Sequence, residues 1–162
     1  MKKIILVRHA QSPIEYANII DFDRPLNNKG VLEAGLMSNK IKKYISKVDV
    51  VISSGANRAL STSEIIAANI NFNSDDIIID DNIYNSSIDY MLSLIYSIPN
   101  KHEIVMLFGH NPTFHRLSQL LVKERIHIFP TCAMFCIKFN VNSWTDIDKG
   151  IKDFMIYPDS LK

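Results

Sequence analysis

Three short runs constrain the fold of this chain more than any other feature. Residues 3–7 read Lys-Ile-Ile-Leu-Val, residues 48–53 read Val-Asp-Val-Val-Ile-Ser, and residues 103–108 read Glu-Ile-Val-Met-Leu-Phe. None alternates apolar with polar residues, so none has a face meant for water, and each reads as a strand buried on both faces. Parallel strands need long crossovers, usually helical, and those helices cover the sheet. The intervening segments fit that need. Asn27 or Asn28 caps a helix reaching about residue 45, with Leu32, Leu36, Ile41 and Ile45 at helical spacing. Further helices are expected over 57–70, over 89–98, and from Asn111 as cap with Pro112 at the first helical position. Residues 76–80 and 133–139 add two more strands, and 154–157 a sixth at an edge, while 140–150 reads as polar and turn-like. The last two strands have no helix between them and are expected to be antiparallel neighbours. The fold class is therefore α/β, a three-layer sandwich with a mostly parallel central sheet of about five to six strands flanked by helices.

The 162 residues suit one domain, 1–162, large enough to need no disulfide or metal staple. A formal net charge of +1 gives no global basic field for nucleic acid, so any anion site has to be built locally. No stretch approaches the ~20 apolar residues of a membrane helix. The apolar run that ends at Val7 is too short for a signal peptide and is followed at once by Arg8 and His9. A cytoplasmic monomer without membrane attachment is the simple expectation. Cys132 and Cys136, four apart on a strand, face one side too far apart to bond. They read as small apolar fillers with free thiols, and no metal site is spaced around them.

Open α/β sheets bind ligands beyond the carboxyl ends of their strands. Arg8 and His9 follow the first strand; Ser53, Ser54 and then Arg58 follow the second; Gly109 and His110 follow the fourth. Two arginines and two histidines thus meet at one sheet edge. Guanidinium forks hold phosphate oxygens bidentately, and a neutral imidazole is a competent nucleophile for phosphorus. A lone Arg or His at a strand end is ordinarily a solvated or satisfied polar group, and the joint placement is what favours function. His102, His115 and His127 lack it and read as structural or surface groups.

These residues resemble the histidine phosphatase superfamily, which includes phosphoglycerate mutases and acid phosphatases. Its opening Arg-His-Gly/Ala signature is similar to Arg8-His9-Ala10. Its Leu-Thr-x-x-Gly-x-x-Gln-Ala block resembles residues 26–34, with Asn and Glu replacing Thr and Gln. Its Ser-Ser-x-x-x-Arg-Ala-x-x-Thr block matches residues 53–62, and Gly109-His110-Asn111-Pro112 matches the last block. The short chain, Ala10, the Asp-x-x-Arg-Pro-Leu block at residues 21–26 and Phe129-Pro130-Thr131 resemble the SixA-type branch, described as phosphohistidine phosphatases acting on phosphorelay proteins. The resemblance implies a phosphoglycerate mutase-like fold and a metal-independent, cofactor-free enzyme. It makes His9 the nucleophile, Arg8 and Arg58 the phosphoryl clamps and His110 a donor to the phosphoryl group, with Ser12 a further phosphate contact.

Two departures bear on substrate. The Glu that larger members carry after the third strand is missing from Asn82-Ile83-Tyr84-Asn85, and Glu15 stands where many have a phosphate-binding Asn. An alcohol leaving group needs a proton, whereas phosphohistidine departs more readily. The expected substrate is thus phosphohistidine on a phosphorylated protein such as a histidine phosphotransfer domain. A small phosphorylated metabolite with Asp21 as general acid is the alternative, for which a turn residue at Asp21 is an even rival. A catalytically silent phosphoprotein-binding module is the reading from another class, and no Gly-rich nucleotide loop is present.

Overall fold

The computed structural model describes residues 1–14 and 18–158. In chain order the elements are β1 (Lys2–Arg8), α1 (Asn28–Ile41), β2 (Val50–Ser53), α2 (Asn57–Asn69), β3 (Ile78–Ile79), α3 (Ile88–Tyr96), β4 (Ile104–Gly109), α4 (Thr113–Val122), β5 (Met134–Phe139) and β6 (Ile151–Ile156). One-turn 3-10 helices lie at Asp21–Asp23, Ser74–Asp76, Asp81–Ile83 and Trp144–Asp146. The sheet order is β3-β2-β4-β1-β5-β6. Pairs β2·β3, β2·β4 and β1·β4 are parallel, and β5 alone runs against its neighbours β1 and β6. The mostly parallel α/β sheet expected from the apolar runs is what forms.

Alternation along β1 sorts the core into two layers. Ile4 and Leu6 pack with Met91 and Ile95 of α3 and Leu117 and Leu121 of α4. Ile5 and Val7 pack on the other face with Ala34, Met37 and Ile41 of α1 and Ile66 and Ala67 of α2. Side chains one apart on a strand point to opposite faces, so each run had to be apolar throughout. β1 and β4 are neighbours, yet the helix after β1 covers one face and the helix after β4 the other. Their carboxyl ends therefore form a topological switch point, where an open α/β sheet leaves a crevice.

Several local expectations are corrected. Leu32 and Leu36 of α1 are 68% and 57% exposed, and the buried face is Gly30, Ala34, Met37, Ser38 and Ile41. The helix presses close, since a Cβ on Gly30 would lie 2.2 Å from the Gln11 carbonyl oxygen, so small residues make the contact. Asn27 is its cap, accepting from the Gly30 amide at 2.7 Å. α4 starts at Thr113 with Pro112 as its N-cap residue, and the Asn111 amide instead donates to the Phe129 carbonyl at 2.8 Å. β3 is two exposed residues rather than five. Cys132 lies before β5 with a left-handed φ of 59°, so the two free, buried cysteines do not share a strand. Among the described residues no helix is long and apolar enough to cross a membrane.

The polar stretch 140–150 hides a core anchor. Trp144 is fully buried, donates its indole N–H to the His102 carbonyl at 3.0 Å, and lies under the Lys2 ammonium, 5.4 Å from the ring centre. Trp144→Ala is expected to cost ~3–5 kcal/mol by cavity formation. A lower urea midpoint at unchanged m value would report it.

Candidate active site

The ends of β1 and β4 are locked in register. Arg8 pairs with Gly109, and the His9 amide donates to the Gly109 carbonyl at 3.1 Å. The Cys132 amide donates to the carbonyls of both Arg8 and His9, at 3.1 and 3.0 Å, and its left-handed backbone lets it reach both. On the far side the Ala10 amide donates to Thr62 Oγ1 at 2.9 Å, and that hydroxyl donates to the Arg58 carbonyl at 2.6 Å. The turn carrying His9 is thereby tied to the first turn of α2, where Arg58 sits.

His9 is 8% exposed. Its Nδ1 lies 2.8 Å from the Ala10 carbonyl oxygen. A carbonyl can only accept, so Nδ1 carries the proton and Nε2 keeps its lone pair. Arg58 Nε, 3.4 Å away, points its N–H at that lone pair. Burial, followed by repulsion from Arg58, Arg8 and Arg24, pushes the His9 pKa down to about 4. Burial is the larger cause and the arginines the smaller, the reverse of what charge alone suggests.

Arg58 is 5% exposed; Nη1 donates to the Asp21 backbone carbonyl at 2.6 Å and Nη2 to Asp21 Oδ2 at 3.1 Å. Arg8 Nη1 donates to the Phe129 carbonyl at 3.1 Å, while its Nε is buried without a partner among the described residues. His110, 8% exposed, stacks obliquely on His9 with ring centres 5.2 Å apart. Its Nε2 contacts Ser54 Oγ at 2.9 Å, its Nδ1 is buried without a partner among the described residues, and burial and then neighbouring His9 and Arg58 push its pKa down to about 3.

Asp21 reaches the same place from the 3-10 turn. Oδ2 accepts from Tyr84 Oη and Arg58, and Oδ1 accepts from Arg24 Nε at 2.9 Å. The Tyr84 hydrogen bond, then Arg24 and Arg58, hold its carboxyl well below the usual carboxylate range. Ser12 commits its hydroxyl proton to the Pro25 carbonyl at 2.6 Å and accepts from Arg24 Nη1 at 3.2 Å. It braces the loop. Ser53 bonds the Ser54 carbonyl. Glu15 lies outside the described residues.

Sequence reasoning missed Tyr84, Thr62, Arg24 and the Phe129 carbonyl. Arg24 had a signal, since Asp21 and Arg24 are three apart in a quoted block and form an ion pair. Tyr84 had none, because its partner is 63 positions away.

The two depressed histidines also tie stability to pH. Each folded-state pKa lies below the ordinary ~6.5, so the unfolded chain binds more protons below that value. Stability is expected to be fully present above about pH 6.5 and to fall as pH drops toward the folded value of about 4 for His9. Melting temperatures measured from pH 7 to pH 4 check the sign.

The sequence profile of the histidine phosphatase superfamily (branch 1) matches residues 4–88. The uncharacterized protein Rv1276c of Mycobacterium tuberculosis is 27% identical over 154 residues, covering 89% of this chain and 93% of that one. A SixA structure from Agrobacterium tumefaciens superposes with a TM-score of 0.81 at 24% identity, covering 97% of this chain and 98% of that one. The protein histidine phosphatase SixA complexed with tungstate gives 0.85 at 21%, covering 99% of each. The mycobacterial glucosyl-3-phosphoglycerate phosphatase gives 0.68 at 13%, covering 94% and 97%. These likenesses are of fold. Taken with the profile match across half the chain, they lead to one conclusion: the chain belongs to the histidine phosphatase superfamily, branch 1, and is a phosphatase.

Proposed function

We propose that this phosphatase removes the phosphoryl group from phosphohistidine on a protein, through a phosphohistidine intermediate on His9. The observation that carries the reading is the set of groups around His9 Nε2. That atom holds a lone pair; the His110 ring lies 5.2 Å from the His9 ring, and the buried Arg8 Nε and His110 Nδ1 have no partner among the described residues. Buried polar atoms are ordinarily paired, and phosphoryl oxygens would pair both. Arg58 supplies the remaining positive charge.

His9 Nε2 attacks phosphorus in line. The Nε2–P bond forms as the substrate's P–N bond breaks, and its electron pair returns to the leaving ring, which carries a proton on its other nitrogen and so departs as neutral imidazole. Positive charge grows on the His9 ring, and the Ala10 carbonyl, still accepting from Nδ1, stabilises it. Water then attacks phosphorus, the Nε2–P bond breaks, and neutral His9 and inorganic phosphate remain.

The leaving group decides the substrate class. Asp21 is held ionised by three donors and has no proton to give in the free chain. An imidazole leaves with little proton help, and an alkoxide does not. Ile14 and Ile20, 87% and 74% exposed, flank the loops that reach the site and suit a macromolecular substrate. The fold likeness to a glucosyl-3-phosphoglycerate phosphatase favours a second reading, a small phosphomonoester. There, phosphate would have to take Arg58 from Asp21, raising the Asp21 pKa enough for it to act as acid. The deciding experiment compares kcat/KM, with chelator present, for a phosphohistidine-bearing photransfer domain and a panel of sugar phosphates. Preference for the protein supports the proposal, and preference for an ester overturns it in favour of Asp21 as acid.

A further inference from the structure

We propose that Ser54 is a positioning residue: its hydroxyl donates to His110 Nε2, fixes the imidazole as the Nδ1–H tautomer, and so commits the ring's proton to the phosphoryl group on His9. The assignment follows from counting donors and acceptors. Ser54 is fully buried at the end of β2. Its Oγ accepts from the Ala56 amide at 3.2 Å and touches His110 Nε2 at 2.9 Å, with no further partner among the described residues. A serine hydroxyl has one proton, and here Nε2 is the acceptor within reach. In the reverse arrangement Nε2–H would donate to an oxygen already accepting from Ala56. That would orphan the hydroxyl proton and leave the buried Nδ1 an unfilled acceptor, two unsatisfied groups in place of one donor awaiting substrate.

The orientation matters because His110 is neutral and has a single N–H. With the wrong tautomer, Nδ1 would turn a lone pair toward phosphoryl oxygens and repel them. The His9 and His110 rings then carry matched states: each has Nδ1 protonated, one proton held by the Ala10 carbonyl and the other free for the phosphoryl group. Ser54 acts through His110 and does not touch the reacting atoms.

This inference rests on the proposed reaction for its purpose, yet the tautomer is a property of the free chain. Long-range proton–nitrogen correlation spectra of the 15N-labelled protein near pH 7 read it directly, with His110 assigned by comparison with His110→Ala. The expected pattern is a protonated Nδ1 and a bare Nε2. Ser54→Ala should lose that pattern, with kcat falling about tenfold and KM changing little, as one transition-state donor is blurred. Ser54→Thr, which keeps the hydroxyl, should restore the pattern. A neutral wild-type His110 protonated at Nε2 would overturn the proposal with no variant needed. So would an unchanged tautomer in Ser54→Ala. The expected tautomer without turnover of any phosphohistidine protein would instead keep the Ser54 role and reject the substrate reading.

Discussion

His9→Ala is expected to abolish turnover, lowering kcat by ~10⁴-fold or more, because it removes the Nε2 lone pair that attacks phosphorus. His110 is the nearest imidazole, but its Nε2 is engaged by Ser54 and its Nδ1 has no contact with the Arg58 fork. The variant should fold, and its pH response should change in a predictable direction. The folded chain buries a neutral His9 with a pKa of about 4. Removing that group removes its share of the stability lost between about pH 6.5 and pH 4, so His9→Ala should melt less steeply with acid than the parent. Full activity in His9→Ala would exclude His9 as nucleophile. An unaltered acid response would show that His9 is not buried neutral.

Arg58→Ala is expected to lower kcat/KM by about 10³-fold, since a buried guanidinium aimed at Nε2 is the strongest single source of positive charge at the site. Arg58→Lys should recover little. One side of the guanidinium holds Asp21 through its backbone oxygen and its carboxylate, while Nε faces His9. A lysine point charge cannot serve both. Two titrations should move with the substitution. Losing a cation beside His9 raises the His9 pKa from about 4, so the acid limb of kcat/KM shifts to higher pH. Losing one of its three donors also lets Asp21 bind a proton more readily. An acid limb moving to lower pH, or a loss under tenfold, would contradict the placement of Arg58.

What was legible in the sequence and what was not divides along a physical line. The strands β1, β2 and β4 could be read because burial on both faces leaves uninterrupted apolar runs. The convergence of polar side chains at their ends could be read because Arg8 closes β1 and His9 and His110 directly follow β1 and β4. β3 could not be bounded, since its two isoleucines are an exposed edge in a run that looks buried. The inward face of α1 was misassigned because large apolar residues were weighted above small ones. Leu32 and Leu36 face solvent, while Gly30 and Ala34 pack where a larger side chain would collide. Residues 140–150 look polar on average, and one residue, Trp144, decides their fate.

At the site, side chains declared themselves by motif, but their partners did not. Tyr84 lies in the segment searched for a glutamate, and only the folded chain shows it holding Asp21 ionised. The same applies to Cys132, whose amide gathers the Arg8 and His9 carbonyls through a backbone conformation that a non-glycine residue rarely announces. Local sequence thus names candidate groups, and tertiary contacts decide their protonation.

The proposed reaction passes through a phosphoryl group carried on His9 Nε2. The most direct measurement is rapid quenching, in chelator, of the purified chain mixed with a phosphohistidine-bearing phosphotransfer domain, followed by mapping of the acid-labile phosphate by mass spectrometry under alkaline conditions. A transient adduct on His9 alone is expected, forming and decaying at rates compatible with turnover and absent in His9→Ala. Phosphate released without an adduct, or an adduct on any other residue, would contradict it.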